Sequence, residues 1–319
     1  MLSRSRLLTL FALAAVLALG LLAGCGGGED DGGGGGSSGA SEDPAAILKK
    51  AFATEVDSGE LKMTGKADVK GSSKAPGPVS FSLSGPFQTR GKGNLPLLDW
   101  DVEVSGPGQD LSGGVIATED NAYVEFRGQT YEVGSQLYRQ LLRQQAQQTK
   151  KGPQSLDDLG VDPAAWLEDA KVTEGPSIGG SSTRRVSGQI DVKRMAGDLV
   201  DAAKSPALRR QLEGSGQKVP EFSDADVDKV ADAVEEAKLT VDVDDKDVAR
   251  KVAFTARFKV PEGADADGVT GGTVEFSYEL PKVGGDVDIK APADAKPLAL
   301  LLQQLGLGSS LPGGGLRTQ

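Results

Sequence analysis

The residue with the most specific chemistry in this chain is Cys25, the only cysteine among 319 residues. It closes the run Leu22-Ala23-Gly24-Cys25, after a stretch from Leu7 to Leu22 that is apolar apart from Thr9 and Gly20. Arg4 and Arg6 precede that stretch. A short positive region, an apolar run and small residues before a cleavage point make up a secretory signal. A thiol at this place is what a lipobox requires. Its sulfur accepts a diacylglyceryl group as a thioether, and the small residues before it leave the backbone open to the peptidase. Residues 1–24 are therefore expected to be a signal peptide, with Cys25 becoming a lipidated N-terminus that holds the chain on the extracytoplasmic side of the cell membrane. Two acyl chains suffice for stable attachment, since each buried CH₂ contributes about 0.8 kcal/mol. No thiol is left for a disulfide, so the exported part must hold together by its core.

The rest of the sequence excludes more chemistry than it offers. The chain contains no histidine, which rules out a Ser-His-Asp triad, a Cys-His pair and a His-ligated zinc site. Gly34 to Gly39 fits G-x-G-x-x-G, and Gly35 to Gly39 fits G-x-S-x-G. Neither follows a strand or opens a helix, as both motifs require, so both are read as linker. The cluster Asp242-Val243-Asp244-Asp245-Lys246-Asp247 lacks the ligand order of a calcium loop and reads as a solvated hairpin turn. Nothing points to a carboxylate pair for glycoside hydrolysis. The formal charge is −11, and losing two arginines with the signal makes it −13. Such acidity argues against nucleic acid, whose binding relies on Lys and Arg at phosphates. No enzyme activity, metal or cofactor is expected.

The remaining elements are those that would position a binding surface. Residues 25–42 are expected to be the lipidated Cys followed by a flexible tether, nearly all Gly, Ser and acidic residues with nothing to pack. Its reach is roughly 20–25 Å. Asp43-Pro44 opens a helix with Ile47, Leu48 and Phe52 on one face. Then the period changes to two. Leu61, Met63, Ala67 and Val69 alternate with polar residues, as do Val79, Phe81 and Leu83, and Leu98, Trp100, Val102 and Val104. Short strands follow near 113–118, 121–127 and 129–133. Helices are expected around Leu137 to Leu142, at Asp162-Pro163 with Trp166 and Leu167, and near 192–204 and 206–213. Another opens at Ser223 and carries Val227 to Val234. Strands are expected at 183–190, Leu239 to Val243, Val252 to Val260, Val274 to Leu280, and Val287 with Ile289. This is an α+β chain: helices gathered on one side of an antiparallel sheet. Residues 293–319 add a short helix with Leu298, Leu301, Leu302 and Leu305, then a Gly/Ser-rich tail.

Several of these segments, in this order, resemble the LppX/LprA/LprF/LprG family of actinobacterial lipoproteins, and more distantly the LolA-like carriers. They are the Asp43–Phe52 helix, the Val115–Val133 meander with Tyr123-Val124, and Leu159-Gly160-Val161-Asp162-Pro163 before Trp166. Thr183 to Gly188 and the closing Ile289-Lys290-Ala291-Pro292 complete the set. The resemblance spans residues 43–292. It implies a strongly curved antiparallel sheet, a half-barrel, covered by helices on one face and enclosing an apolar cavity for acyl chains of a lipid or glycolipid. The implied role is lipid carriage or presentation across the cell envelope, with an envelope transporter as a possible partner. Residues on the buried phase of their strands are the candidate lining: Leu61, Met63, Val79, Phe81, Leu83, Leu98, Trp100, Val102, Val252, Phe254, Phe258, Phe276 and Tyr278. The loops 71–78 and 262–272 are candidate mouth loops. Two other readings stay open: an envelope scaffold with a solid core, and a solute-binding protein of an ABC importer.

Overall fold

The structure is a computed structural model and describes residues 43–71, 77–91, 94–149, 159–205, 224–261 and 268–306. The signal, Cys25, the tether, the helix expected at 206–213, Ser223, parts of both mouth loops and the tail after residue 306 lie outside them.

Two antiparallel meanders meet at a central seam. The first runs through β1 (Ser58–Lys70), β2 (Val79–Gln88), β3 (Leu97–Gly106), β4 (Gln109–Ala117), β5 (Ala122–Phe126) and β6 (Gln129–Glu132). The second runs through β7 (Leu167–Glu174), β8 (Thr183–Ile190), β9 (Val234–Asp244), β10 (Ala249–Lys259) and β11 (Gly271–Val283). β1 pairs with β11, and β12 (Lys296–Pro297) adds to β6 in parallel. The result is one open 12-stranded sheet ordered β12-β6-β5-β4-β3-β2-β1-β11-β10-β9-β8-β7.

Tight turns set the registers. At Arg127-Gly128 both φ angles are positive, 51° and 74°, which is the I′ geometry that matches strand twist. Pro107-Gly108, with Gly108 at φ 79°, joins β3 to β4 as a type II turn. Helices are started by aspartates whose side chains accept backbone N–H groups left free at the first turn. Asp43 opens α1 (Pro44–Ala53) by accepting from Ala45 N at 3.1 Å. Asp162 does the same for the 3₁₀ turn Pro163–Trp166, and Asp191 caps α3 (Val192–Lys204). The other helices are α2 (Ser135–Thr149), α4 (Asp224–Ala233) and α5 (Leu298–Gln304).

The main core lies at the β7–β10 end. Ile47, Leu48 and Ala51 of α1 pack on Val186, Leu239, Val241, Val243 and Ala256, with Trp166, Leu167 and Met195 around them. Trp166 Nε1 donates to Asp198 Oδ2 at 2.7 Å and ties the 3₁₀ turn to α3. A second cluster sits on the central seam: Leu61, Met63, Val248 and Leu280, packed with Leu83, Trp100, Phe276 and Tyr278. At the far edge α5 packs on β6, where Leu301 is buried and the Tyr131 hydroxyl hydrogen-bonds Gln304.

Four expectations need correction. Leu167 does not continue a helix; it starts β7, whose phase is broken by a bulge between Glu168 and Lys171 and by Asp169 at φ 49°. Val287 and Ile289 form no strand, because β11 ends at Val283 and Gly284-Gly285 turn the chain away. Val234 belongs to β9, opposite Phe258, and not to the preceding helix. The turn after β9 is a hairpin, but Asp242 and Asp244 are buried, not solvated. Arg185 grips Asp242 with two bonds of 2.7 and 3.0 Å, and Arg250 reaches Asp244 at 3.3 Å.

Candidate functional site

One face of the sheet is mostly apolar, because the strand registers line up its alternate residues in rows. One row runs Val172, Val186, Val241, Val252, Tyr278, Met63, Leu83, Val102, Gly113 and Phe126. The next runs Leu239, Phe254, Phe276, Gly65, Phe81, Val104 and Leu111. A third places Trp100, Val115, Val124 and Tyr131 side by side. The face behind carries Lys62, Thr64, Lys66, Ser80, Ser82, Ser84, Asp99, Asp101 and Glu103.

Burial divides the apolar face into three zones. Val252 and Phe254 pack against the helix-covered core, and Phe258 is buried beside it. Leu61 and Met63 are closed off in the seam cluster, with Leu83, Trp100, Phe276 and Tyr278 against them. Beyond the seam the face opens. Val79 is 42% exposed, Phe81 37%, Val104 39%, Leu111 38% and Val115 38%. Phe81, Val104 and Leu111 are direct neighbours across β2, β3 and β4. The thirteen candidate residues thus share one face but not one environment: only Val79 and Phe81 are among the large apolar side chains left exposed. Leu98 and Val102 are intermediate.

Three members of the open strip are not among the candidate residues. Val104 ends the β3 alternation that yielded Leu98, Trp100 and Val102, so its signal was present. Leu111 and Val115 are separated by Gly113-Gly114, which interrupts the apolar pattern of β4. Phe81 owes its position to a glycine. Its ring lies over Gly65 directly across β1 and β2, where any Cβ would overlap it. Trp100 adds the polar feature of the floor. Its indole N–H is buried and has no hydrogen-bond partner among the described residues. Buried donors are nearly always paired, and an unpaired one costs about 1–3 kcal/mol.

The polar face has its own electrostatics. Asp101, Gly114 and Glu125 are consecutive across β3, β4 and β5, with Asp99 two residues away. Burial, then Asp101 and Glu125, push the Asp99 carboxyl above its ordinary pKa. Among the described residues, no group of three or more acidic, Cys or His side chains is placed to hold a metal. A shallow cleft of about 550 Å³ lies at the β1–β4 tips, lined by Lys66, Pro78, Ser80, Ser105, Pro107 and Asp110. Lys66, Ser80, Ser105 and Asp110 belong to the polar face, so this cleft is not the apolar strip. No described helix is long and apolar enough to cross a membrane.

No family model and no curated protein matches this chain. Solved structures similar to it include the following two. The crystal structure of LprF from Mycobacterium bovis is 15% identical, covering 80% of this chain and 100% of that one, at a TM-score of 0.34. That of the Mycobacterium tuberculosis lipoprotein LppX is 11% identical, covering 77% of this chain and 98% of that one, at 0.33. Both names belong to the family that residues 43–292 resemble. Scores this low leave the architecture to be judged from the strand order and the burial described above.

Proposed function

We propose that this chain is a lipid-anchored binding protein, not a catalyst, that holds an acyl chain of a lipid or glycolipid along the open strip of β2, β3 and β4. Carriage or presentation of that lipid at the cell envelope is its role. The observation that supports this most is the alignment of Phe81, Val104 and Leu111, each more than a third exposed though five or more strands from the β7 edge. Acyl chains carry no directional chemistry, so a site for them needs apolar area and no motif: burial contributes roughly 25 cal/mol per Å². Curvature of the sheet would make the strip a trough, with the α1 and α3 layer on one side and α5 on the other. An ester or carboxyl oxygen lying at the depth of Trp100 would accept from its indole N–H.

A scaffold with a solid core is the second reading, and the packed seam favours it for half of the face. Met63 and Leu61 are already closed off, so a ligand would be confined to the strip. Native mass spectrometry of the protein purified from its own membranes separates the two readings. A copurified lipid, lost from the Phe81→Glu/Val104→Glu variant while the fold persists, is the expected result. A parent protein free of lipid, also after incubation with fatty acids and phospholipids, would favour the scaffold.

A further inference from the structure

The C-terminal segment differs in composition from the rest of the chain. Eight of the twenty residues from Pro297 to Leu316 are leucine and none is charged, in a chain that is 25% charged overall. Its described part is α5, followed by Leu305 and Gly306. α5 is fixed to the sheet on one side only: Leu301 is buried, Gln304 meets Tyr131, and Lys296-Pro297 pair with β6. Leu300 and Leu305 point elsewhere and are 43% and 48% exposed. Sheet packing therefore does not account for them.

We propose that Leu300 and Leu305 rest in the surface of the bilayer to which the chain is anchored. The tether supports this occupant: a lipidated Cys25 would keep Asp43, where α1 begins, within roughly 20–25 Å of the membrane, and pivoting there brings α5, at the other end of the sheet, down to the surface. Charge supports it too. With a formal charge of −13 once the signal's two arginines are gone, the anchored chain as a whole is repelled by anionic lipid, and an uncharged leucine-rich segment is the part that can touch such a surface without that penalty. Two leucines make a weak contact on their own, because interfacial binding scales with buried apolar area. The anchor makes the contact intramolecular, so a weak patch is enough. α5 packs on β6, two strands from β4, so this contact would also set the open strip beside the bilayer. The proposal rests on the anchored reading of Cys25 and is independent of what occupies the strip.

The sole cysteine allows a direct test. The chain from Cys25 to Gln319 is coupled through Cys25 to a maleimide lipid in phosphatidylcholine vesicles, which supplies the anchor without any cellular lipidation. Amide hydrogen exchange is then compared with the uncoupled protein. Exchange in 298–306 is expected to slow about tenfold on coupling, while α1 stays unchanged. Leu300→Gln/Leu305→Gln should lose that slowing at unchanged thermal stability. Equal α5 exchange in the coupled and uncoupled forms would overturn the proposal. So would slowing without vesicles, whether it rises with protein concentration, as for a second copy, or follows addition of a fatty acid.

Discussion

Phe81 and Gly65 act as a pair: the ring spreads over the strip because its neighbour across β1 has no side chain. Gly65→Ala must displace the ring, and overpacking of this kind typically costs about 1–3 kcal/mol. The ring is partly exposed and can swing outward, so the low end is expected in chemical denaturation, together with weaker acyl-chain binding. Alternation in the sequence put Phe81 on the apolar face correctly. It could not show that the ring stays uncovered, since exposure depends on where the helices pack. Asp99 offers a pH test on the opposite face. Its pKa is raised in the folded state by burial and by Asp101 and Glu125, so the native protein binds more protons than the unfolded chain between the two values. Stability must then fall as pH rises from the ordinary aspartate value of about 3.9 through the raised one. Asp99→Asn removes that loss. Its melting temperature is expected to exceed that of the parent at pH 7, with the advantage shrinking as pH approaches 4; an equal gain at both would contradict the assignment.

At the scale of elements, the β9–β10 hairpin is held by charges that the sequence made look solvated. Arg250 donates to Asp244 and to the carbonyls of Leu280 and Pro281, at 2.9 and 3.0 Å for the carbonyls, and thereby joins the hairpin to β11. Asp244 Oδ1 meanwhile accepts from Lys246 N and Val248 N, both at 3.0 Å, and shapes the turn. Removing one partner of a buried pair leaves an uncompensated charge and typically costs about 3–5 kcal/mol. Arg250→Met is expected to lose that much in urea unfolding, and Arg250→Met/Asp244→Asn to recover part of it. The turn itself was legible from its acidic run. Its burial was not, because Arg185 and Arg250 lie 57 and 6 residues from their partners. Strand β7 was hidden for a local reason: the bulge at Glu168–Lys171 shifts the alternation on which strand detection depends. The aspartate caps of α1 and the 3₁₀ turn were legible because Asp-Pro sets both the acceptor and the first helical φ locally.

For the whole molecule, the fold class could be read from the sequence because nearly all its strand pairs are sequence neighbours. The exceptions are the two-residue β12 on β6 and, more consequentially, β1 with β11, which joins the two meanders into one sheet and leaves no trace in any local pattern. That seam separates a face packed under helices from a face left open. The sequence could not separate them, since Phe254 and Phe81 obey the same alternation. Residues 43–306 are expected to melt as one cooperative unit with or without chelator, whereas Cys25→Ala should abolish labelling by a tagged fatty acid in cells. The central claim is that an acyl chain lies on the β2–β4 strip, and Trp100, paired with Val115 on its floor, reports on it directly. In a Trp166→Phe background Trp100 is the only indole left of the chain's two tryptophans. Titration with a fatty acid brominated along its chain should quench Trp100 in a saturable manner at one ligand per protein, and Val104→Glu should abolish the quenching. Binding of that fatty acid with Trp100 emission unchanged, or no binding at any concentration below its micelle limit, would contradict the account.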